Sequence, residues 1–403
     1  MATARPPAAR RLPGVDAARG LALLGMIATH LVLLVSADGT EPTPVGLVFA
    51  GKSSALFATL AGVGLALLTG GARPEPARRG WDRRRVAVRA VLLFAVGLAC
   101  GSLDMGVAVI LAHYAVLFLA ALPFLGLGAR ALAAWAAGWV LLSPVAASLL
   151  SAVMQSTVGA AAYLDAWRLW HNPSFADLVL QPGLLAWDLL FTGYYPVLQW
   201  LGYVLFGLFL GRLRLDRLRV SAAVAVGGAA LAAGAFLAAR ALQSLPGVPG
   251  AIAGGTGTGP DRLAAQLLTG ASIPTEAIQH TGAWFTLATP HSGAPLDLLL
   301  TCGTSALVLG ACQVLCTAGR GVLTIPLLPL IGAGSMTLTL YVAHLVALDV
   351  FEDATADWPR LGLLIAYWTG CLVAGTLWRG LGWRGPLEQA VSTASTTLAG
   401  SRA

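Results

Sequence analysis

Three of the six histidines in this chain lie inside apolar stretches, where an imidazole is costly unless it serves a partner or a cavity. His30 closes RLPGVDAARGLALLGMIATH, His113 sits in ILAHYAVLF, and His344 lies near the end of GSMTLTLYVAHL. An imidazole titrates near neutral pH, so it can serve as general base, general acid or nucleophile. Asp16 and Arg19 precede His30 on the same stretch. Eleven helical residues make about three turns, which puts Arg19 and His30 on nearly one face about 16 Å apart. One face would then carry an ion pair at one helix mouth and an imidazole in the other half, and ionisable groups at such depth usually face a cavity or a partner. The plainer reading has Asp16 and Arg19 anchoring the helix and His30 satisfied by packing. Thr337, Tyr341 and His344 share a face of a second helix. His30, His113 and His344 are therefore expected at similar depth on three helices, shaping one site. The same three could bind a metal. No HxxxH-type spacing supports that, and no metal is expected.

Other candidates stand at the ends of apolar stretches. Lys52 is the single lysine and is followed by Ser53 and Ser54. It either snorkels to the membrane surface or binds an anionic group. His291, in TPHSGAPLD, ends a long connection, where loop residues often carry function. Arg83 and Arg84 belong to a basic run that either orients the protein or holds nucleotide or lipid phosphates. Ser54, Ala58, Gly62 and Ala66 recur every four residues, a ridge for close helix packing. The five cysteines all fall in apolar stretches and read as small buried hydrophobes. There is no P-loop, dinucleotide fingerprint or serine-hydrolase elbow.

The elements that must position these residues are membrane helices. The 403 residues are 57% hydrophobic and 11% charged, against about 25% charged in soluble domains. Ten apolar segments each approach the length of a bilayer crossing, about 20 residues. They are 18–36, 47–69, 86–102, 107–127, 131–153, 194–211, 220–242, 297–317, 326–349 and 360–379. Twenty of the 25 basic residues fall in alternate connections, which reads as excess cytoplasmic arginine and not as a nucleic-acid surface. Both termini are then cytoplasmic and the three helix histidines lie in the outer half. The expected fold is all-α: one polytopic domain over 1–403, about ten transmembrane helices, short flexible ends at 1–10 and 391–403. A multi-pass protein of the plasma membrane follows, with the lipid bilayer as its first partner and a homodimer allowed. No cleavable leader is evident, since 17–35 is long enough to span.

The stretches RLPGVDAARGLALLGMIATH, GKSSALFATLAGVGLAL, GYYPVLQWLGYVLFGLFLGR, GAGSMTLTLYVAHL and RGPLEQ resemble bacterial members of the heparan-α-glucosaminide N-acetyltransferase-like transmembrane acyltransferases. The resemblance covers about residues 11–390. It implies an all-helical membrane fold, acetyl-CoA as co-substrate from the cytoplasmic side, and transfer to an acceptor on the far side. In the lysosomal relative the acceptor is a terminal glucosamine amine. Asp16 and Arg19 match the opening motif at the donor end, with Arg83 and Arg84 as further phosphate contacts. His30 falls where the eukaryotic enzyme has an asparagine near its acetyl site. That enzyme's proposed catalytic histidine lies in the following loop, where this chain has none, and by simple offset Glu41 stands near it. His30 as base or nucleophile and Glu41 as base are thus the two catalytic readings. His113 and His344 would assist, while Lys52, Ser53, His291 and Tyr341 would contact the acceptor, an amine or hydroxyl of an extracytoplasmic sugar or envelope glycoconjugate. The rival readings are a transporter or lipid flippase, or a non-catalytic scaffold. No inverted repeat and no matched pair of broken helices is legible.

Overall fold

A computed structural model describes residues 12–159, 166–318 and 322–400. These residues are helical, apart from loops and one isolated bridge between Val35 and Pro42. The helices used below are α1 Pro13–Leu31, α2 Lys52–Leu68, α3 Arg79–Gly101, α4 Leu111–Ala121, α5 Ala129–Val158 and α6 Val197–Gly211. They continue with α7 Leu218–Gln243, α8 Pro295–Ala318, α9 Leu328–Gly334, α10 Thr337–Val350, α11 Arg360–Gly380 and α12 Pro386–Leu398. Each of the ten apolar segments is a helix or a helix pair in this set.

Among the described residues five helical stretches are long and apolar enough to cross a membrane, and the number rises to seven if each of two bent pairs is one span. The remainder have physical reasons to fall short. Helix α4 is only 11 residues long, α3 opens on the charged run RGWDRRR, and α1 carries Asp16 and Arg19 in its first turns. The bent pairs differ from the sequence expectation of unbroken helices. Pro182–Thr192 meets α6 at 55°, and Thr324–Gly334 meets α10 at 66°. The first break spans Gly193 to Pro196, where proline removes a backbone donor, and the second falls at Ser335 and Met336.

Helix α1 is the centre of the bundle, with 14 of its 19 residues buried. Proline at its first position suits helix initiation. The small-residue ridge of α2 packs as expected: a Cβ on Gly62 would meet the Val204 carbonyl of α6, and one on Gly211 would meet Ala66. One end of the bundle is tied by Arg212, only 3% exposed. Its guanidinium donates to the carbonyls of Ala66 (2.9 Å), Gly71 (2.7 Å) and Leu127 (3.3 Å), joining the ends of α2, α4 and α6. We call this the Arg19 end and the opposite one the His30 end.

At the His30 end the long connections carry their own structure. Ile252, Ile278, Trp284 and Leu287 form a small core. A capping box at Ser174 starts a short helix, and Asp177 accepts from the Ser174 amide (2.9 Å), Gln181 (2.7 Å) and the His171 ring (2.9 Å). Of the terminal stretch 391–403, expected to be flexible, residues 391–398 form the last turns of α12 and 401–403 lie outside the described residues. Residues 1–10 and the basic residues Arg11, Arg320 and Arg402 lie outside the described residues.

Gly62→Ala is expected to cost about 1–3 kcal/mol through overpacking, whereas Gly138→Ala, which meets nothing within 4 Å, should be neutral or stabilising in its helix. Thermal unfolding midpoints check both, and equal midpoints would contradict the ridge contact. Burial works to raise the pKa of Asp177, but hydrogen bonds from Ser174, Gln181 and His171 outweigh it and hold the carboxyl at about 2. That lies below its unfolded value near 3.9, so the stabilisation, on the order of 2 kcal/mol, is present above pH 4 and lost as pH falls through 2. Asp177→Asn should therefore lower the midpoint at pH 6 and converge on the native protein near pH 2.

Candidate active site

The Arg19 end opens into a cavity of about 980 Å³. Helix α1 places Arg19 on its wall, with Nη1 3.3 Å from Oδ1 of Asp16. Asp16 is buried and braces Arg19 without lining the cavity. Arg89 of α3 is the second basic group, and Glu388 of α12 stands with them. The inner walls are aromatic: Phe57, Tyr114 and Phe118. Arg83 and Arg84, expected beside Arg19, do not line this cavity. Arg83 donates to the carbonyls of Leu122 (3.2 Å) and Pro123 (3.4 Å), and Arg84 is exposed. Arg89 was hidden in sequence among seven basic residues of one run; its signal was position, a turn deeper into the apolar part of α3.

The break before α10 forms the far wall, where Ser335, Thr337 and Leu338 line the cavity. A new helix start leaves backbone N–H groups without partners. Glu388 satisfies them: its carboxylate accepts from the amides of Leu338 (2.6 Å) and Thr339 (3.3 Å) and from the Thr339 hydroxyl (2.6 Å). The sequence RGPLE explains the fit. Pro386 starts α12, and Gly385 leaves room where a Cβ would meet the Glu388 carboxylate and Met336.

From this cavity a row of rings runs toward the His30 end. Phe57 stacks on Tyr114 at 5.4 Å and faces Tyr341 at 6.2 Å between centroids. Tyr341 stands edge-on to His344 at 5.0 Å, and His344 stacks on His30 at 5.3 Å. Nδ1 of His30 and Nε2 of His344 are 3.1 Å apart, so one ring donates and the other accepts. The Tyr341 hydroxyl accepts from the Ile110 amide at 3.4 Å. Tyr341 and His344 are buried, while His30 is half-buried and lines a cavity of about 840 Å³ with Met105, Glu352 and Arg360. The predicted face of Thr337, Tyr341 and His344 thus runs from one cavity toward the other.

His113 does not join the pair, which corrects the expected convergence of three. It lies in the first turn of α4 and packs edge-on against Tyr195 at 5.5 Å. Tyr195 belongs to a third cavity, of about 900 Å³, with Arg168, Gln199, Trp200, Glu276 and His291. His291 is exposed there, with φ at 63° and its ring stacked on Trp200 at 6.0 Å. Positive φ in a non-glycine residue is a strain that functional sites tolerate. Arg168 pairs with Glu276 at 2.8 Å and lies over the rings of Trp170 and Tyr194. The two cavities at this end are neighbours: Val107 lines one and Ala108 the other. Asn172 pins the strip between them, donating to the Val107 carbonyl and accepting from the Val109 amide, both at 2.8 Å.

The other candidates lie apart. Glu41 closes a tight loop with its backbone, accepting from the Ser36 amide at 2.8 Å and donating to the Ser36 hydroxyl at 2.9 Å. Its side chain is exposed and lines none of these cavities. Ser53 is buried against Gly25 of α1, a packing role. Lys52 lines a separate cavity and donates to the Leu47 carbonyl at 2.8 Å. Among the described residues no group of three or more His, Cys, Asp or Glu side chains could hold a metal ion.

Residues 11–244 match the family of the heparan-α-glucosaminide N-acetyltransferase catalytic region. The chain belongs to this N-acetyltransferase family. Comparison with curated proteins and with solved structures found no match. Together with its apolar helices, membership makes this a membrane acetyltransferase by family. The matched stretch of the N-acetyltransferase family holds Arg19, His30, Phe57, Arg89 and Tyr114. Tyr341, His344 and Glu388 come from beyond it, in the part where the resemblance rested on short motifs alone.

Glu388→Ala is expected to lower stability by about 1–3 kcal/mol, because it strands the amides that open α10. A thermal midpoint equal to that of the native protein would show that those amides find other partners.

Proposed function

We propose that this membrane acetyltransferase takes an acetyl or short acyl group from cytoplasmic acyl-CoA at the Arg19 end. The group passes to an amine or hydroxyl of an extracytoplasmic sugar or envelope glycoconjugate at the His30 end. The observation that carries this reading is the row Phe57, Tyr341, His344 and His30, which starts at a cavity bearing two arginines and ends at a polar cavity on the opposite side. Arg19 and Arg89 suit the donor phosphates, and the aromatic walls suit the arm that bears the thioester. Ten crossings, cytoplasmic termini and a plasma-membrane location belong to the same proposal, supported by the arginine bias of one set of connections.

The chemistry needs one base. The acceptor amine or hydroxyl attacks the thioester carbonyl, its proton passes to His30, and the C–S bond breaks, the imidazolium then giving that proton to the departing thiolate so that coenzyme A leaves as thiol. His344 accepts or donates at the other face of the pair, so a proton taken by His30 need not stay there. Tyr341, buried beside His344 with its hydroxyl accepting from the Ile110 amide, would donate that hydroxyl proton to the acyl carbonyl. The third cavity, with Tyr194, Gln199 and His291 on its walls, suits the part of the acceptor beyond the reacting group. Glu41, exposed on its loop, is the weaker of the two bases considered.

The two bent helix pairs favour a second reading, transport, since broken helices at mid-membrane are common in transporters. The same assay separates them. Purified protein given acetyl-CoA and glucosamine should release free thiol. His30→Ala should lower kcat by about 10²–10⁴-fold, and Arg19→Ala should raise KM for acetyl-CoA with kcat nearly kept. Full activity in His30→Ala would remove His30 from the chemistry. Acetyl-CoA moved across a vesicle membrane unchanged would favour transport.

A further inference from the structure

Five basic residues depart from the bias that places the other 20 in alternate connections: Lys52, Arg168, Arg240, Arg262 and Arg360. Three of them lie elsewhere. Arg168 pairs with Glu276, Arg360 lines the His30 cavity beside Glu352, and Arg262 lies along Gly39. Lys52 and Arg240 instead share a cavity of about 920 Å³ whose other walls include Leu47, Phe236, Leu268 and Leu300. Lys52 spends one donor on the Leu47 carbonyl, and an ammonium has three. Buried Asp297 acts on the charge of Lys52 but does not line the cavity. The Arg240 guanidinium has no hydrogen bond or ion pair among the described residues.

The rim of this cavity faces outward. Leu47 is 44% and Phe236 41% exposed, and Leu237 and Val226 leave the rest of the α7 surface apolar. Helix α7 is long and apolar enough to cross a membrane, and most of its surface is unburied. Two cations thus stand at the head of an apolar, lipid-facing track.

We propose that this cavity is a binding site for an anionic phospholipid, its phosphate held by Lys52 and Arg240 and its acyl chains laid along α7. A phosphate takes charge-assisted hydrogen bonds from both side chains, and the unmatched positive charge selects an anionic headgroup over a zwitterionic one. The site does not depend on the acyl-transfer reading.

The test is native mass spectrometry of the full chain in detergent with phosphatidylglycerol, phosphatidylcholine or sodium phosphate. Phosphatidylglycerol should be retained about tenfold better than phosphatidylcholine. Arg240→Gln should lose that preference, Lys52→Arg should keep it, and Arg262→Gln should leave it unchanged. Arg240 is exposed, so its variant should unfold at the native temperature without lipid, separating lost binding from lost folding. Equal retention of the two lipids, or undiminished binding in Arg240→Gln, would overturn the proposal. Inorganic phosphate competing as well as the lipid would overturn the lipid assignment and leave a plain anion site.

Discussion

Inside a membrane every backbone polar group must find a partner within the protein, and this fold depends on how it meets that demand at one point. The chain breaks at Ser335 and Met336, bends by 66°, and restarts as α10. The freed amides are taken by Glu388, fifty residues downstream of Leu338. That carboxylate anchors α12 to α10 and so fixes the direction in which Thr337, Tyr341 and His344 point. The same bend opens the space between α9, α10, α2 and α3 that Arg19 and Arg89 line. A continuous helix here would fill the cavity; a break without Glu388 would leave unsatisfied donors in an apolar setting.

The His30–His344 contact is the second constraint. Two imidazoles at 3.1 Å cannot both be protonated cheaply, so the pair holds at most one extra proton with ease. That is the condition a base needs when it must take a proton and pass it on. His30 faces the cavity, whereas His344 is buried behind it. The pair therefore has an accessible member and a buried member, set by packing and not by sequence. Tyr341 extends the row toward Phe57 and the cavity that Arg19 and Arg89 line.

What was legible in the sequence was what a single helix determines. Asp16, Arg19 and His30 share a stretch of regular period, and α1 is one unbroken helix, so their spacing carried directly into space. Thr337, Tyr341 and His344 were legible for the same reason. The ridge from Ser54 to Ala66 is legible because small residues at four-residue spacing have one common use, close helix packing. What required several elements was not legible. His113 was placed with the other histidines by depth, but a residue in the first turn of a short helix is turned by its neighbours, here toward Tyr195. Arg89 was one arginine among many, and only the course of α3 separates it from Arg83 and Arg84. The bend before α10 rests on Gly, Ser and Met, a local sequence that does not itself announce a break. The GPLE motif is legible, but its carboxylate has no partner until α12 returns to α10.

The central claim is that donor and acceptor sit on opposite sides of one bundle, joined by the row from Phe57 to His30. Vesicles containing the protein, with acetyl-CoA confined to one side and glucosamine to the other, test it most directly. The account predicts acetylated glucosamine from the separated reactants, in one orientation of the protein only. Acetylation that appears only when both reactants share a side would contradict it.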